Sequence, residues 1–367
     1  MALQDRFGTS MDTERMVAQF MDMVRVDSES GDESRFMAWL LPRLEEIGAR
    51  AHLDAYGNLI AKLQARKSEA DPILLSCHGD TVKPGKGIEP VLSDGVIRSS
   101  GQTILGSDDK AGIAEMLEAL RIAPKRPPIE IAISRQEEVG LIGVKNLDFS
   151  QISATRGFLL DNDTLDTIIT GGPSYFAIDV TIKGKAAHAG MEPEKGINAI
   201  QAAAKAIAAL RIGRLDHETT ANVGIIHGGM IRNGVPGSCT FAAECRSLTH
   251  DKGQAVADEM VRAIRREVES VGAEVTVEVN NLCQASFIAD DAWTVRTAQQ
   301  ALATLGIQAK PALVCGFTDA SIYNNHGIEM GVVGIGARLE HSLDEHIHVE
   351  DMERAVAMLV EILRLSA

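Results

Sequence analysis

Along the first 170 residues, short apolar runs alternate with amphipathic stretches. "TERMVAQFMDMVRV" carries its apolar residues at helical spacing and predicts a helix, while "NLIAKL" and "PILLSCH" predict strands and "DKAGIAEMLEALRIA" a second helix. "IEIAIS" and "GFLLD" add two buried strands separated by a polar, glycine-containing connection. Such alternation implies an α/β sheet covered by helices. From about residue 173 the pattern changes to "SYFAIDVTIKG", an alternating strand, then the alanine-rich helix "GINAIQAAAKAIAALRIG", the strands "ANVGIIHGG" and "CTFAAECRSL", the helix "GQAVADEMVRAIRREVESVG" and the strand "AEVTVEVN". Four strands and two helices make a small α+β unit. The α/β pattern resumes after residue 284 with "AWTVRTAQQALATLG", "EMGVVGIG" and "VEDMERAVAMLVEILRLS". The economical organisation is a domain at 173–283 inserted into a host built from 1–172 and 284–367, which is feasible because the ends of a domain often lie close together.

Length supports two domains, since 367 residues exceed what a single core usually organises. A content of 45% hydrophobic and 24% charged residues is that of an ordinary globular chain. The formal charge of -15, with no basic stripe to offset it, excludes nucleic acid as a partner. Cys77, Cys239, Cys245, Cys283 and Cys315 are scattered and lack CxxC spacing, which argues against a disulfide framework or a zinc ribbon and for a reducing cytoplasm. The stretch "MALQDRFGTSMDTERMVAQF" is charged where a signal peptide needs an apolar core, and no uncharged apolar run reaches membrane-spanning length, so neither export nor a membrane partner is expected.

Candidate chemistry collects after the strands, where open α/β sheets carry their functional groups. "ILLSCHGD" ends in His78 and Asp80, "IEIAISRQEE" in Glu137 and Glu138, and "GFLLD" in Asp161; "EMGVVGIG" is followed by His341 and Glu345, and "GSDDKAG" brings Asp108 and Asp109 before an amphipathic helix. Taken singly, each fragment has a plainer reading: HxD as a solvated strand end, Glu-Glu as a turn, Asp-Asp as a helix cap. Together they would repel one another and be costly to bury without cations, and imidazole with carboxylate is a ligand set for zinc, cobalt or manganese. Cys77 alternates away from His78 and reads as a small buried hydrophobe instead of a nucleophile.

The ordered motifs "HGDTV", "GSDDKAG", "EEVG", "LLD" and "EHSLDEHIHVEDM" resemble the dinuclear zinc exopeptidases, the family of peptidase T, carboxypeptidase G and aminoacylases, and "LGSDDKAGIAEMLEAL" is most similar to its peptidase T branch. The resemblance spans nearly the whole chain. It implies a zinc-exopeptidase-like catalytic domain, a mixed sheet flanked by helices, with an inserted α+β lid of four strands and two helices. Two zinc ions are implied, with cobalt or manganese as substitutes. His78 and Asp161 are then ligands of the first, Glu138 and His341 of the second, and Asp108 the bridging carboxylate, with Asp109 as the neighbour whose peptide link helps aim it. His346 and His348 are rival imidazoles, but the spacing before "HVEDM" favours His341. Asp80 would orient His78 through its other ring nitrogen. Glu137 is similar to the general base that deprotonates the metal-bridging water, which requires a bend between Glu137 and Glu138.

In the lid, "KGKAAHAG" sets His188 where the family has a histidine that stabilises the oxyanion, often reached across a dimer, and Asn233 and Arg246 resemble residues that grip the substrate carboxylate. The activity implied is hydrolysis of amide bonds in short peptides by a tripeptidase-type aminopeptidase, with a homodimer through the lid. A carboxypeptidase or an N-acyl amino acid deacylase could use the same centre. A silent peptide- or metal-binding protein is the remote alternative, and Glu137 counts against it.

Overall fold

The computed structural model describes residues 11–367, so the opening of the charged N-terminal stretch lies outside the described residues. Two compact units form. One holds the chain up to Gly171 with Phe287–Leu313 and Thr318–Ala367; the other holds Gly172–Ser286 and Val314–Phe317.

The first unit is built on a mixed sheet whose strands run in the order Arg50–Leu53, Leu59–Leu63, Ile129–Ser134, Ile73–His78, Arg156–Asn162, Glu329–Gly334 and Thr167–Gly172, with Lys310–Leu313 alongside the last. Ile73–His78 is parallel to both Ile129–Ser134 and Arg156–Asn162, and Glu329–Gly334 is parallel to Arg156–Asn162. Every residue of Ile73–His78 and of Ile129–Ser134 is buried. Covered on both faces, such strands read as continuous apolar runs without alternation. Their shared direction brings four carboxyl ends to one edge, and the residues that follow those ends are the polar ones singled out above.

Helix Ser107–Ile122 packs on Ile73–His78 and Arg156–Asn162 and is covered in turn by Thr13–Val24 and Val349–Leu365. It is therefore buried almost all round: Ile113, Met116, Leu117 and Leu120 lie in the core, and so do Glu115 and Glu118. Arg15 reaches Glu118 at 2.7 Å and compensates that buried charge. Gly112 is where the helix meets the sheet, for a Cβ added there would lie 2.8 Å from the Leu160 carbonyl and 2.3 Å from Asp109 Oδ1. This contact seats the helix start, with its two aspartates, over the ends of the strands.

A small antiparallel sheet of Ala337–Arg338, His346–His348, Val96–Ser99 and Pro90–Ser93 frames the segment 339–345, which joins its first two strands.

In the second unit the antiparallel sheet has five strands, not the four expected. Four are ten residues long, Ser174–Lys183, Thr219–Gly228, Ser238–Ser247 and Glu274–Cys283; the addition is Gly213–Arg214, an exposed pair too short to leave an alternation in the sequence. Phe176, Ile178, Val180 and Ile182 alternate inward and bury beneath the helices Ala199–Ala208 and His250–Glu269, the two helices the pattern predicts.

Gly112→Ala is expected to destabilise the protein by about 1–3 kcal/mol through overpacking against Leu160. Urea denaturation checks it, and a midpoint unchanged from wild type contradicts the close approach.

Candidate metal centre

The centre is assembled in the first unit from the ends of parallel strands and from two loops. His78 closes its strand with a side chain 1% exposed. Its Nε2 lies 3.0 Å from Asp108 Oδ1 and 3.8 Å from Asp161 Oδ1. Asp108 turns its other oxygen, Oδ2, to His341 Nε2 at 3.2 Å, and that nitrogen also lies 2.9 Å from Glu138 Oε1. One carboxylate thus stands between two imidazoles, each with a further carboxylate at hand. Among the described residues, His78, Asp108 and Glu138 offer ligand atoms that all lie within 4.8 Å of one another.

Local backbone geometry produces the convergence. Asp108 and Asp109 depart from helical φ and ψ inside the first turn of Ser107–Ile122, and the peptide bond between them is cis. Asp109 does not face the imidazoles; its Oδ2 accepts the His78 backbone N–H at 3.1 Å. Gln136 and His341 both adopt positive φ, 53° and 60°, in loops where the chain turns sharply. The turn at Gln136 supplies the bend that neighbouring Glu137 and Glu138 need, and Asp80 holds it. Asp80 accepts the Glu137 N–H at 2.9 Å, the Glu138 N–H at 3.3 Å and the Ser30 hydroxyl at 2.7 Å. Towards His78, Nδ1 meets the Asp80 carbonyl oxygen at 3.1 Å and its carboxylate at 3.6 Å. Asp80 thus faces the other ring nitrogen of His78 with backbone and carboxylate together, and its side chain also holds the backbone of the two glutamates.

The electrostatics are those of a site rich in acid. Burial pushes the Asp161 and Glu137 carboxyls well above the usual range, and Glu138 is raised for the same reason. Burial also opposes ionisation of Asp108, but His341 and His78 outweigh it and hold that carboxyl well below the usual range. Contacts with Asp108 and Glu138 push His341 up to about 10. On His78 burial works against the charge, yet Asp108 and Asp80 still raise its pKa well above the ordinary value. Carboxylates this close stay ionised together only beside positive charge, and divalent cations supply it with the right donor types already in place. The residues present fit a metal centre.

Cys77 is fully buried beside Asp109, and burial raises its thiol pKa, consistent with an inert packing role.

Two buried acids at this edge were given no role by the sequence. Asp319 accepts from the Ser134 hydroxyl, and burial lifts its pKa to about 7; it precedes the short helix Ala320–Asn325 without a side-chain cap hydrogen bond. Glu345 follows His341 by four residues, is 2% exposed and accepts from the backbone of Leu105, Gly106 and Ser107. Its signal was the same strand-end position that marked His341.

The remaining candidates lie in the second unit. His188 pairs with Gly234, and the carbonyl of Asn233 accepts the Ala189 N–H at 3.1 Å, so His188 and Asn233 are neighbours. Both are exposed. Arg246 is not with them. Asn233 precedes strand Ser238–Ser247 at one end and Arg246 sits near the other, about 26 Å of extended chain away. Its guanidinium lies 4.6 Å from the Tyr175 ring and 5.2 Å from that of Phe317, donates to Glu244 at 3.0 Å and reaches the Cys315 carbonyl at 3.3 Å.

Comparison with known proteins agrees with this architecture. The peptidase dimerisation domain of the M20 family matches residues 174–271. The Bacillus subtilis protein YqjE is 35% identical over 366 residues, covering 96% of this chain and 98% of that one. Among solved structures, aminopeptidase PepT from Bacillus cereus is 37% identical with a TM-score of 0.85, and a tripeptidase from Staphylococcus aureus is 31% identical with a TM-score of 0.90; each alignment covers 97% of this chain and 99% of the other. Identity at this level across nearly the whole length of both chains, with a match to the family's dimerisation domain, shows that the chain belongs to the M20 peptidases, in their peptidase T-like branch.

Proposed function

We propose that this chain is a metal-dependent aminopeptidase that cleaves short peptides, tripeptides among them, by attack of water on the scissile amide. The observation that carries this reading is the shared carboxylate, with Asp108 offering one oxygen to His78 at 3.0 Å and the other to His341 at 3.2 Å. That spacing suits two cations side by side. His78, Asp161 and Asp108 would hold one, and Glu138, His341 and Asp108 the other; zinc fits this mixed donor set, and cobalt or manganese can replace it. When bound, the ions polarise the amide carbonyl and make water more acidic.

The protein's own groups do the rest. Glu137, one residue from Glu138 in the turn that Asp80 holds, has its proton affinity raised by burial. Its carboxylate takes a proton from the attacking water and delivers it to the nitrogen of the leaving amine. Arg246, braced by Tyr175, Phe317 and Glu244, is apt for a substrate carboxylate. His188 suits the developing oxyanion, and Asn233 beside it suits the substrate's polar groups.

A tripeptide spans only about 10 Å, so one copy cannot offer His188 and Arg246 to the same substrate across the roughly 26 Å of extended strand from Ser238 to Arg246. A homodimer in which each copy lends His188 and Asn233 to its partner's substrate removes the difficulty. Strand Thr219–Gly228 supports it, being paired on one side only beyond Ala221 and exposing Ile225 and Ile226. The five free thiols suit a cytoplasmic home, and no helix among the described residues is long and apolar enough to cross a membrane.

Metal-loaded protein is expected to hydrolyse Leu-Gly-Gly, to spare its N-acetylated form and to stop when treated with a chelator; cleavage of N-acyl amino acids in place of the tripeptide would favour the deacylase reading. Glu137→Gln should retain its metal by elemental analysis while kcat falls about 10²–10⁴-fold, and wild-type turnover in that variant removes the proposed base. For Arg246→Ala, KM for carboxylate-bearing peptides should rise about tenfold or more with metal content unchanged; an unaltered KM retires its role.

A further inference from the structure

We propose that Glu345 is a positioning residue that locks the His341 loop to the Asp108 loop, so that of two bound ions the one held by Glu138 and His341 depends on it and the one held by His78 and Asp161 does not. This rests on the two-metal reading above.

Glu345 is a buried carboxylate with four short acceptor contacts to one stretch of chain. Its Oε2 accepts from Leu105 N at 2.8 Å and Gly106 N at 2.9 Å; its Oε1 accepts from Ser107 N at 2.7 Å and Ser107 Oγ at 2.6 Å, with Asp108 N at 3.4 Å. Gly106, at φ 73°, turns the chain so that successive N–H groups converge on one anion. This is a costly arrangement beside a carboxylate cluster, since Glu345 adds negative charge where charge is already in excess. A neutral side chain would serve if the segment merely needed filling; an ionised acceptor is what several converging backbone donors require.

The two ends of this clamp carry different ligands. Residues 105–108 end in Asp108, while Glu345 ends the segment 339–345 that contains His341. Within and around that segment run the flanking strand pairs Ala337–Ile347 and Arg338–His346, Ser342 Oγ to the Leu339 carbonyl at 2.6 Å, the Glu345 N–H to the Ser342 carbonyl at 3.2 Å, the Asp344 N–H to Ser342 Oγ at 3.3 Å and His346 Nδ1 to the Asp344 carbonyl at 2.8 Å. These contacts are local, and the ties of Glu345 to Leu105–Ser107 reach the Asp108 loop. Leu339 and His341 both hold positive φ, and the His341 side chain is 52% exposed, so little packing fixes its imidazole. Apart from its own contacts with Asp108 and Glu138, its backbone anchors must do so. His78 is in the opposite situation, 1% exposed at the end of a strand paired on both sides, and Asp161 lies within the parallel strand Arg156–Asn162. Asp108 stays in the first turn of the buried helix Ser107–Ile122, which Gly112 seats against Leu160, so loosening Glu345 frees His341 relative to Asp108 and leaves the His78 and Asp161 pair on the sheet. Glutamine has the same shape, but its NH₂ would face N–H donors and cannot accept from them.

The test is a titration of metal-free protein with Zn²⁺, followed by calorimetry and by elemental analysis after dialysis. Wild type should bind two ions. Glu345→Gln should retain one at wild-type affinity and bind the other at least about tenfold more weakly, matching the ion lost in His341→Ala. A structural role alone would lower the melting temperature of the metal-free protein without separating the ions. Two ions held as in wild type, or both weakened equally, overturns the proposal while leaving the metal reading intact. Wild type that binds no ion sinks both. Should Glu345→Gln fail to fold, Ser107→Ala, which removes one donor to Oε1, decides: the same single ion should weaken by a smaller factor, and two unchanged affinities overturn the clamp.

Discussion

The centre turns on the two oxygens of one carboxylate. Asp108 faces His78 with Oδ1 and His341 with Oδ2, and Asp161 and Glu138 flank those two imidazoles. Bringing Glu137, Glu138, Asp161 and Asp319 into a largely buried space runs against their solvation, and burial accordingly raises the pKa of each. A core does not tolerate this without compensation. The imidazoles, held toward their charged forms by the same acids, mark where positive charge belongs, and the proposed cations occupy that role in the working protein.

A second layer of buried acids has a different task. Asp80 and Glu345 accept backbone N–H groups: Asp80 takes those of Glu137 and Glu138, Glu345 those of Leu105, Gly106 and Ser107. Both therefore shape loops in which positive φ angles or non-helical turns would otherwise cost free energy. The strands supply a rigid edge; these two carboxylates convert flexible connections into fixed extensions of it. Such preorganisation is what the proposed proton transfer from water to a leaving amine would ask of Glu137, because a base must reach its proton in a fixed geometry.

The second unit contributes by length. Its strands are ten residues long, and that alone separates His188 and Asn233 from Arg246 by more than a short peptide can span. Sequence proximity concealed this, for Asn233 and Arg246 are only 13 positions apart in the chain. The half-free edge strand with Ile225 and Ile226 exposed and the match to a peptidase dimerisation domain both support the pairing of copies proposed above.

The sequence by itself determined the buried strands, whose apolar runs need no context to be read, the long amphipathic helices, and the residue types that gather after the strands. Ser34–Glu46 escapes a pattern reading although Phe36, Met37, Leu40 and Leu44 are at helical spacing, because Pro42 lies inside it, and the short edge elements Arg50–Leu53 and Gly213–Arg214 owe their form to neighbours that chain pattern does not encode. Tertiary structure alone decided that Asp80 aims the glutamates, that Asp109 turns to the His78 amide and that Glu345 binds a loop 238 residues upstream. The physical reason is common to all three: an acid's partner is fixed by which backbone donors are left without water at a given place, and that is known only once distant segments have packed together.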